Sequence, residues 1–401
     1  MLSNLSSGEG GAGNSAMENN VNISDNHVKD RDGAVSGAIV RENIRRFWPI
    51  GLVSLLIYVA MGPVTWIISP PLQQETIISG EESTTIIHAS PINYSAFAFI
   101  GMIFAAVVAI AVFRYMHSPA ALSALHAFPV RKRALFFSNF VSGLLLIFVP
   151  FIAAVLSLLP LIAARSDAPS LMASWLTWLV AVCITVFFTY AVSVLAGMVS
   201  GTTPAHMLTA GVFNFAWIAI YGSAAAIVTE SMFGMSGESD FMSAGLYLHP
   251  LTYFLSGIDV NTIVVGAGEV VPLYVGMPVY LAVSVLVLAA SYFVFMRFKA
   301  ERAGMPITAR PVEHIFAFAV SAIGMFLFAV IFASQDPVRL SPDGQQPADP
   351  MTYVNTYAVL GAVIGAVVSF LIATMIIRKS ARVFDLAALR RFGIFAAAAA
   401  V

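Results

Sequence analysis

The chain has 401 residues, 59% of them hydrophobic and 10% charged, with a mean hydropathy of +0.86; ordinary soluble domains carry about 25% charged residues, so a soluble fold is excluded for want of a polar coat. The net charge of −1 excludes a general nucleic-acid binder, which needs a basic surface. The single cysteine, Cys183, excludes an internal disulfide framework and any Cys-rich metal site.

Residues 1–38 are rich in Ser, Gly, Asn and Asp without apolar periodicity and read as a disordered tail. They lack the charged and apolar regions of a signal peptide. Next, Val40, Ile44 and Phe47 fall at i, i+4 and i+7 while Arg41 and Arg45 share another face, and Glu42 and Arg46 form an i,i+4 pair. Residues 40–47 read either as a short amphipathic helix on the inner membrane surface or as ordinary charge flanking a span.

Eight apolar runs follow: Trp48–Ile68, Tyr94–Phe113, Leu135–Ala164, Trp175–Val199, Ala205–Val228, Leu273–Met296, Ile315–Phe332 and Tyr353–Ile377. Each is long enough to cross about 30 Å of hydrocarbon as a helix, and none has a charged residue near its centre. They are continuously apolar, which excludes an alternating β-barrel pattern. Pro150 and Pro160 predict a tilt or kink in the third run.

Counted on this topology, 18 of the 20 basic residues fall on the inner side, with 9 acidic ones, and the outer side holds 2 basic and 12 acidic residues. The positive-inside rule therefore puts the N-terminus in the cytoplasm of a multi-pass plasma-membrane protein. Trp66, Tyr94, Trp175, Trp178 and Tyr353 near outer ends, and Trp48 near an inner one, are expected as interface anchors. The predicted fold class is an all-α polytopic helical bundle with about eight transmembrane helices.

Between the second and third runs, Ser118 is placed to cap a helix starting at Pro119. Leu122 and Leu125 lie i,i+3 on one face, Pro129 stops the helix, and Arg131, Lys132 and Arg133 follow. The apolar face over 119–128 either docks a partner or packs on the protein's own inner surface. In the outer loop, residues 241–258 carry no formal charge and are interrupted by Gly245, Pro250 and Gly257. They predict a re-entrant segment turning at His249-Pro250, or else a small external cap. After Arg391, ten apolar residues, too few to span, predict an interfacial tail within residues 378–401 or a chain cut short.

Motifs for chemistry are missing. There is no G-x-x-x-x-G-K-[ST] loop, no H-E-x-x-H and no G-x-S-x-G. The seven histidines lack ligand spacing, and His206 and His314 at inner span ends read as solvated or capping groups. No catalytic residue, metal or cofactor is expected. Asn214 and Ser193 read as interhelical hydrogen-bonding points, and Gly197-x-x-x-Gly201 and Gly361-x-x-x-Gly365 as positions of close helix approach. A transporter without a fuel site of its own needs a cytoplasmic partner to supply energy.

The stretch His117-Ser118, then His126-Ala127-Phe128-Pro129-Val130-Arg131, then Leu135-Phe136-Phe137-Ser138-Asn139-Phe140-Val141-Ser142-Gly143 resembles the loop of type-2 ABC transporter permeases of a Gram-positive bacterial group. That group carries the pattern H-x-x-P-V-x-R-x-x-L-F-x-S-N-x-x-S-G. Glu301-Arg302-Ala303-Gly304 and Arg382-Val383-Phe384 resemble its shorter E-x-A-G and R-V-F motifs. The resemblance implies a six-helix permease core over 39–300, with surface helix 40–47, coupling helix 119–128 and re-entrant segment 241–258, and two additional helices over 301–377. It implies that residues 119–128 dock on a separate ATP-binding subunit, that a second permease subunit completes a homo- or heterodimer, and that transport runs toward export. An ion-coupled secondary transporter and a non-transporting sensor or scaffold are the alternative readings.

Overall fold

The computed structural model describes residues 35–68, 73–79, 82–88, 94–126, 131–164, 168–231, 248–257, 273–297, 310–333, 356–378 and 386–399. Seven helices among these residues are long and apolar enough to cross a membrane. A further long helix, Thr203–Ser231, has 29 residues and no charge before Glu230, and it coincides with the fifth predicted run. The protein is a multi-pass helical membrane protein. The tail predicted over 1–38 lies outside the described residues as far as residue 34.

Helix α1 runs Gly37–Val59 and continues through a π-turn at Ala60–Val64 into a last turn at Thr65–Ile68. Pro63 lies in the π-turn. Proline cannot donate to the i−4 carbonyl and its ring crowds it, so the helix widens locally. Thr65 Oγ1 donates to the Ala60 carbonyl at 2.9 Å across this turn. Residues 40–47 are not a separate surface helix; they are the first turns of α1. Pro49 lies inside α1 without ending it, so the amphipathic stretch runs straight on into the apolar one.

Strands β1 (Gln73–Ser79) and β2 (Glu82–His88) form an antiparallel ribbon, with Gln73 opposite His88 and Ser79 opposite Glu82. The ribbon is a small addition to the all-α polytopic bundle expected from the sequence, which the apolar helices bear out. The strands are rich in Thr and Ile, whose β-branched side chains suit a pleated ribbon.

Helix α2 (Tyr94–Phe113) matches the predicted second run and ends in a 3-10 turn at Arg114–His117. The short α3 (Pro119–His126) follows. The third run breaks into α4 (Lys132–Leu156) and α5 (Leu159–Ala163). The break falls at Ser157 and Leu158, just before Pro160, rather than at Pro150. Then come α6 (Ala168–Val199), α7 (Thr203–Ser231), α8 (Pro250–Gly257), α9 (Leu273–Arg297), α10 (Arg310–Ala333), α11 (Thr356–Arg378) and α12 (Leu386–Ala399).

Helix α6 is the centre of the bundle. Its apolar stretch is 67% buried, whereas the other spans are 22–50% buried. It packs on α2, α7, α8 and α9; α1 packs on α4; and α10 joins the rest through α7. In lipid no hydrophobic force drives helices together, so packing and small residues must do it. The Tyr58 ring stacks on Phe97 at 5.6 Å and meets Phe151 edge-on at 5.2 Å, and Phe97 meets Trp178 edge-on at 5.2 Å. Each such pair contributes roughly 0.5–1.5 kcal/mol beyond its buried area. Trp66, Trp175 and Trp178 are thus core residues rather than interface anchors, while Trp48 is 55% exposed as an anchor should be.

The α10–α11 pair uses glycine as predicted for Gly361 and Gly365. A Cβ on Gly361 would strike the Phe328 carbonyl, and one on Gly365 the Gly324 carbonyl. The tail beyond Arg391 belongs to α12, whose Phe392 packs on Phe370 at 5.2 Å and Phe395 on Phe318 at 5.8 Å.

Candidate functional site

Two clusters of polar side chains stand out, one at the basic end of the bundle and one at the opposite end. At the basic end, α2 runs out at His117 and the chain turns at Ser118. The Ser118 carbonyl accepts from Leu122 N–H at 3.0 Å, and its Oγ accepts from Ala121 N–H at 3.4 Å. Pro119 occupies the first helical position, where a missing N–H costs nothing. The capped helix read from the sequence is therefore present over Pro119–His126, and residues 127 and 128 lie outside the described residues.

Of the two readings of its apolar face, inward packing holds for Leu122. Ser118, Pro119 and Ala120 are exposed, but Leu122 is only 3% exposed. Leu122 packs into the protein itself, so it is not a free docking knob. Of the other predicted residues, the side chains of Leu125 and His126 and the whole of Pro129 lie outside the described residues. Arg131, Lys132 and Arg133 are exposed at the start of α4, where the Arg131 carbonyl accepts from Leu135 N–H at 3.1 Å.

His117 ties this turn to α6 and α7. Its ring meets the His206 ring edge-on at 5.2 Å, and its Nδ1 lies 3.4 Å from Thr203 Oγ1. His206 is 0% exposed and its Nε2–H donates to the Ser193 carbonyl at 2.8 Å. The expectation that His206 is solvated at a span end is corrected, because the start of α7 is covered by α6 and by the α2 turn. Gly197 makes room for the ring: a Cβ there would sit 2.6 Å from His206 Cε1. Deeper along α7, Asn214 Nδ2 donates to the Ala210 carbonyl at 2.8 Å and to Ser193 Oγ at 3.1 Å. Asn214 and Ser193 thus form the interhelical bond predicted for them.

The residues that carried the family resemblance have a physical task here. Asn43 of α1 donates to Asn139 Oδ1 at 2.8 Å and to Ser142 Oγ at 2.9 Å, and the Ser36 amide donates to Ser138 Oγ at 2.7 Å. Gly143 admits the Tyr190 hydroxyl, which donates to the Phe140 carbonyl at 3.1 Å. The Ser138-Asn139…Ser142-Gly143 pattern is the surface of α4 that clamps α1 on one side and α6 on the other.

At the opposite end, His249 directly precedes α8, which runs from Pro250 to Gly257; Gly245 and the rest of 241–247 in the predicted re-entrant segment lie outside the described residues. The His249 carbonyl accepts from Tyr253 N–H at 3.0 Å and Thr252 Oγ1 at 3.1 Å, and its Nδ1 accepts from Leu251 N–H at 3.1 Å. The ring is 1% exposed, stacked on Trp217 at 5.2 Å and edge-on to Phe188 at 5.1 Å. Burial pushes the His249 imidazole down to about 4. Tyr253 and Phe254 pack on Tyr280, and Gly276 lies directly under the Tyr253 ring. Helix α8 is thus held against α2, α6 and α9.

Among the described residues no group of three His, Cys, Asp or Glu side chains is placed to hold a metal. No protein-family model matches the chain, and neither a curated protein nor a solved structure matches it.

Proposed function

We propose that the chain is the membrane-spanning permease subunit of an ATP-driven exporter of the type-2 ABC kind, working with a separate cytoplasmic ATP-binding subunit and a second permease subunit. The observation that carries this reading is the capped helix Pro119–His126 between α2 and α4. Its Leu122 side is anchored in the bundle while Ser118, Pro119 and Ala120 stand exposed near the basic start of α4. A short helix held rigidly on one side and exposed on the other suits the transfer of a push from a docked partner. His117, directly before it, would pass that push to α6 and α7. The protein-covered α8 at the other end fits a re-entrant segment, since irregular backbone at membrane depth needs protein cover.

The test is whether a P-loop ATPase co-purifies with this chain, followed by ATP hydrolysis by the purified complex in liposomes. Lys132→Glu with Arg133→Glu reverses two exposed charges and should lower stimulated hydrolysis on the order of tenfold, with membrane insertion unchanged. Full stimulation in that variant, or no co-purifying ATPase, would refute the reading. A second reading, a proton-coupled secondary transporter, is favoured by the buried His117–His206 pair, since ionisable groups inside membrane bundles mark proton relays. It requires flux driven by a pH gradient without ATP.

A further inference from the structure

The corner where α6, α7 and α8 meet holds polar atoms that the helix contacts leave unused. The Leu251 amide donates to His249 Nδ1, so that nitrogen holds a lone pair and the neutral ring carries its proton on Nε2. His249 Nε2–H is then a buried donor with no acceptor among the described residues. Trp217 Nε1–H, on the ring stacked against it, is a second such donor. One turn along the same face of α7, the Asn214 amide group is spent on Ala210 and Ser193. That leaves Asn214 Oδ1 as a buried acceptor with no donor.

Two donors and an acceptor therefore line one corner. Its walls are apolar and aromatic, with Phe188 at 5.1 Å from the His249 ring. Helices α6 and α8 contain no Lys, Arg, Asp or Glu, and α7 none before Glu230. Among the described residues an ionised ligand would find no counter-charge at this corner, so the complementary group is neutral. We propose that this corner is an occluded binding site for an uncharged amphiphile bearing a carbonyl group. The carbonyl oxygen accepts from Trp217 Nε1–H and His249 Nε2–H, and a hydroxyl or amide N–H on the same ligand donates to Asn214 Oδ1. The ligand enters as α8 moves off α7. The site does not rest on the ATP-driven reading, because it belongs to this chain alone.

The test uses the full chain in an alkyl glycoside detergent, which carries no carbonyl. The indole 15N–1H resonance of Trp217, assigned by Trp217→Phe, is followed while 1-monolauroylglycerol is added. The matched probe is the dodecyl glyceryl ether, identical except for the missing carbonyl. A saturable downfield shift with the ester, and on the order of tenfold weaker binding of the ether, are expected. His249→Asn, which keeps an acceptor for the Leu251 amide, should weaken ester binding by a similar factor. Equal binding of ester and ether, or an unmoved Trp217 resonance, would overturn the proposal. The wild-type ester and ether comparison decides the matter even where a variant fails to fold.

Discussion

Gly197→Ala probes the His206 contact most sharply. The added methyl carbon would lie 2.6 Å from His206 Cε1, 2.9 Å from Nε2 and 3.2 Å from Nδ1. Carbon contacts are comfortable at about 3.5–4.0 Å, so the ring must retreat by about 1 Å. That retreat stretches the 2.8 Å bond from Nε2 to the Ser193 carbonyl out of hydrogen-bonding range. Losing a buried hydrogen bond costs roughly 1–3 kcal/mol, and overpacking costs a further 1–3 kcal/mol or so. Alanine's better helix propensity returns about 1 kcal/mol, leaving a net loss of about 1–5 kcal/mol. Detergent-unfolding titrations of the wild type, Gly197→Ala, His206→Ala and the double variant measure this directly. With the ring gone, Gly197→Ala should become neutral or slightly stabilising. An equal cost of Gly197→Ala in both backgrounds would refute the packing argument.

Asn43→Ala removes two hydrogen bonds that hold the start of α1 to α4. It should cost about 1–3 kcal/mol and speed amide hydrogen exchange over residues 37–47 while exchange in α6 stays slow. His249 makes stability depend on pH, because burial disfavours its charged form. The unfolded chain takes up the proton below about pH 6.5, whereas the folded one resists until about 4. Stability should therefore be full above pH 6.5 and fall as the pH drops toward 4, by up to about 3 kcal/mol. His249→Asn should flatten that part of an unfolding-midpoint profile, and an unchanged slope would contradict the burial of this ring.

The spans were legible because membrane helices announce themselves by length and uniform apolarity; Tyr94–Phe113 agrees to the residue. The start of α3 was equally legible, since Ser118 and Pro119 carry local chemistry that needs no tertiary context. Residues 40–47 were not, because an amphipathic turn ahead of a span has the same pattern whether it lies on the membrane or extends the helix. The ribbon at 73–88 carries its own sequence signal, two Thr/Ile-rich runs separated by Gly80-Glu81. The burial of His206 left none, and the sequence held both docking and inward packing open for Leu122. Both outcomes depend on which helices happen to be neighbours, and helix order in a bundle is not written in any single span.

The central claim is that the exposed face of α3 receives an ATP-binding subunit. The most direct measurement places a photo-crosslinking amino acid at Ala120, which is exposed beside the Ser118 cap. Illumination in intact cells should trap an adduct whose second chain, sequenced by mass spectrometry, is a P-loop ATPase. The same probe at Leu286 in the middle of α9, which is 68% exposed, should trap no P-loop ATPase. Adducts to no P-loop ATPase from position 120, with the probe chain inserted and stable, would contradict the account.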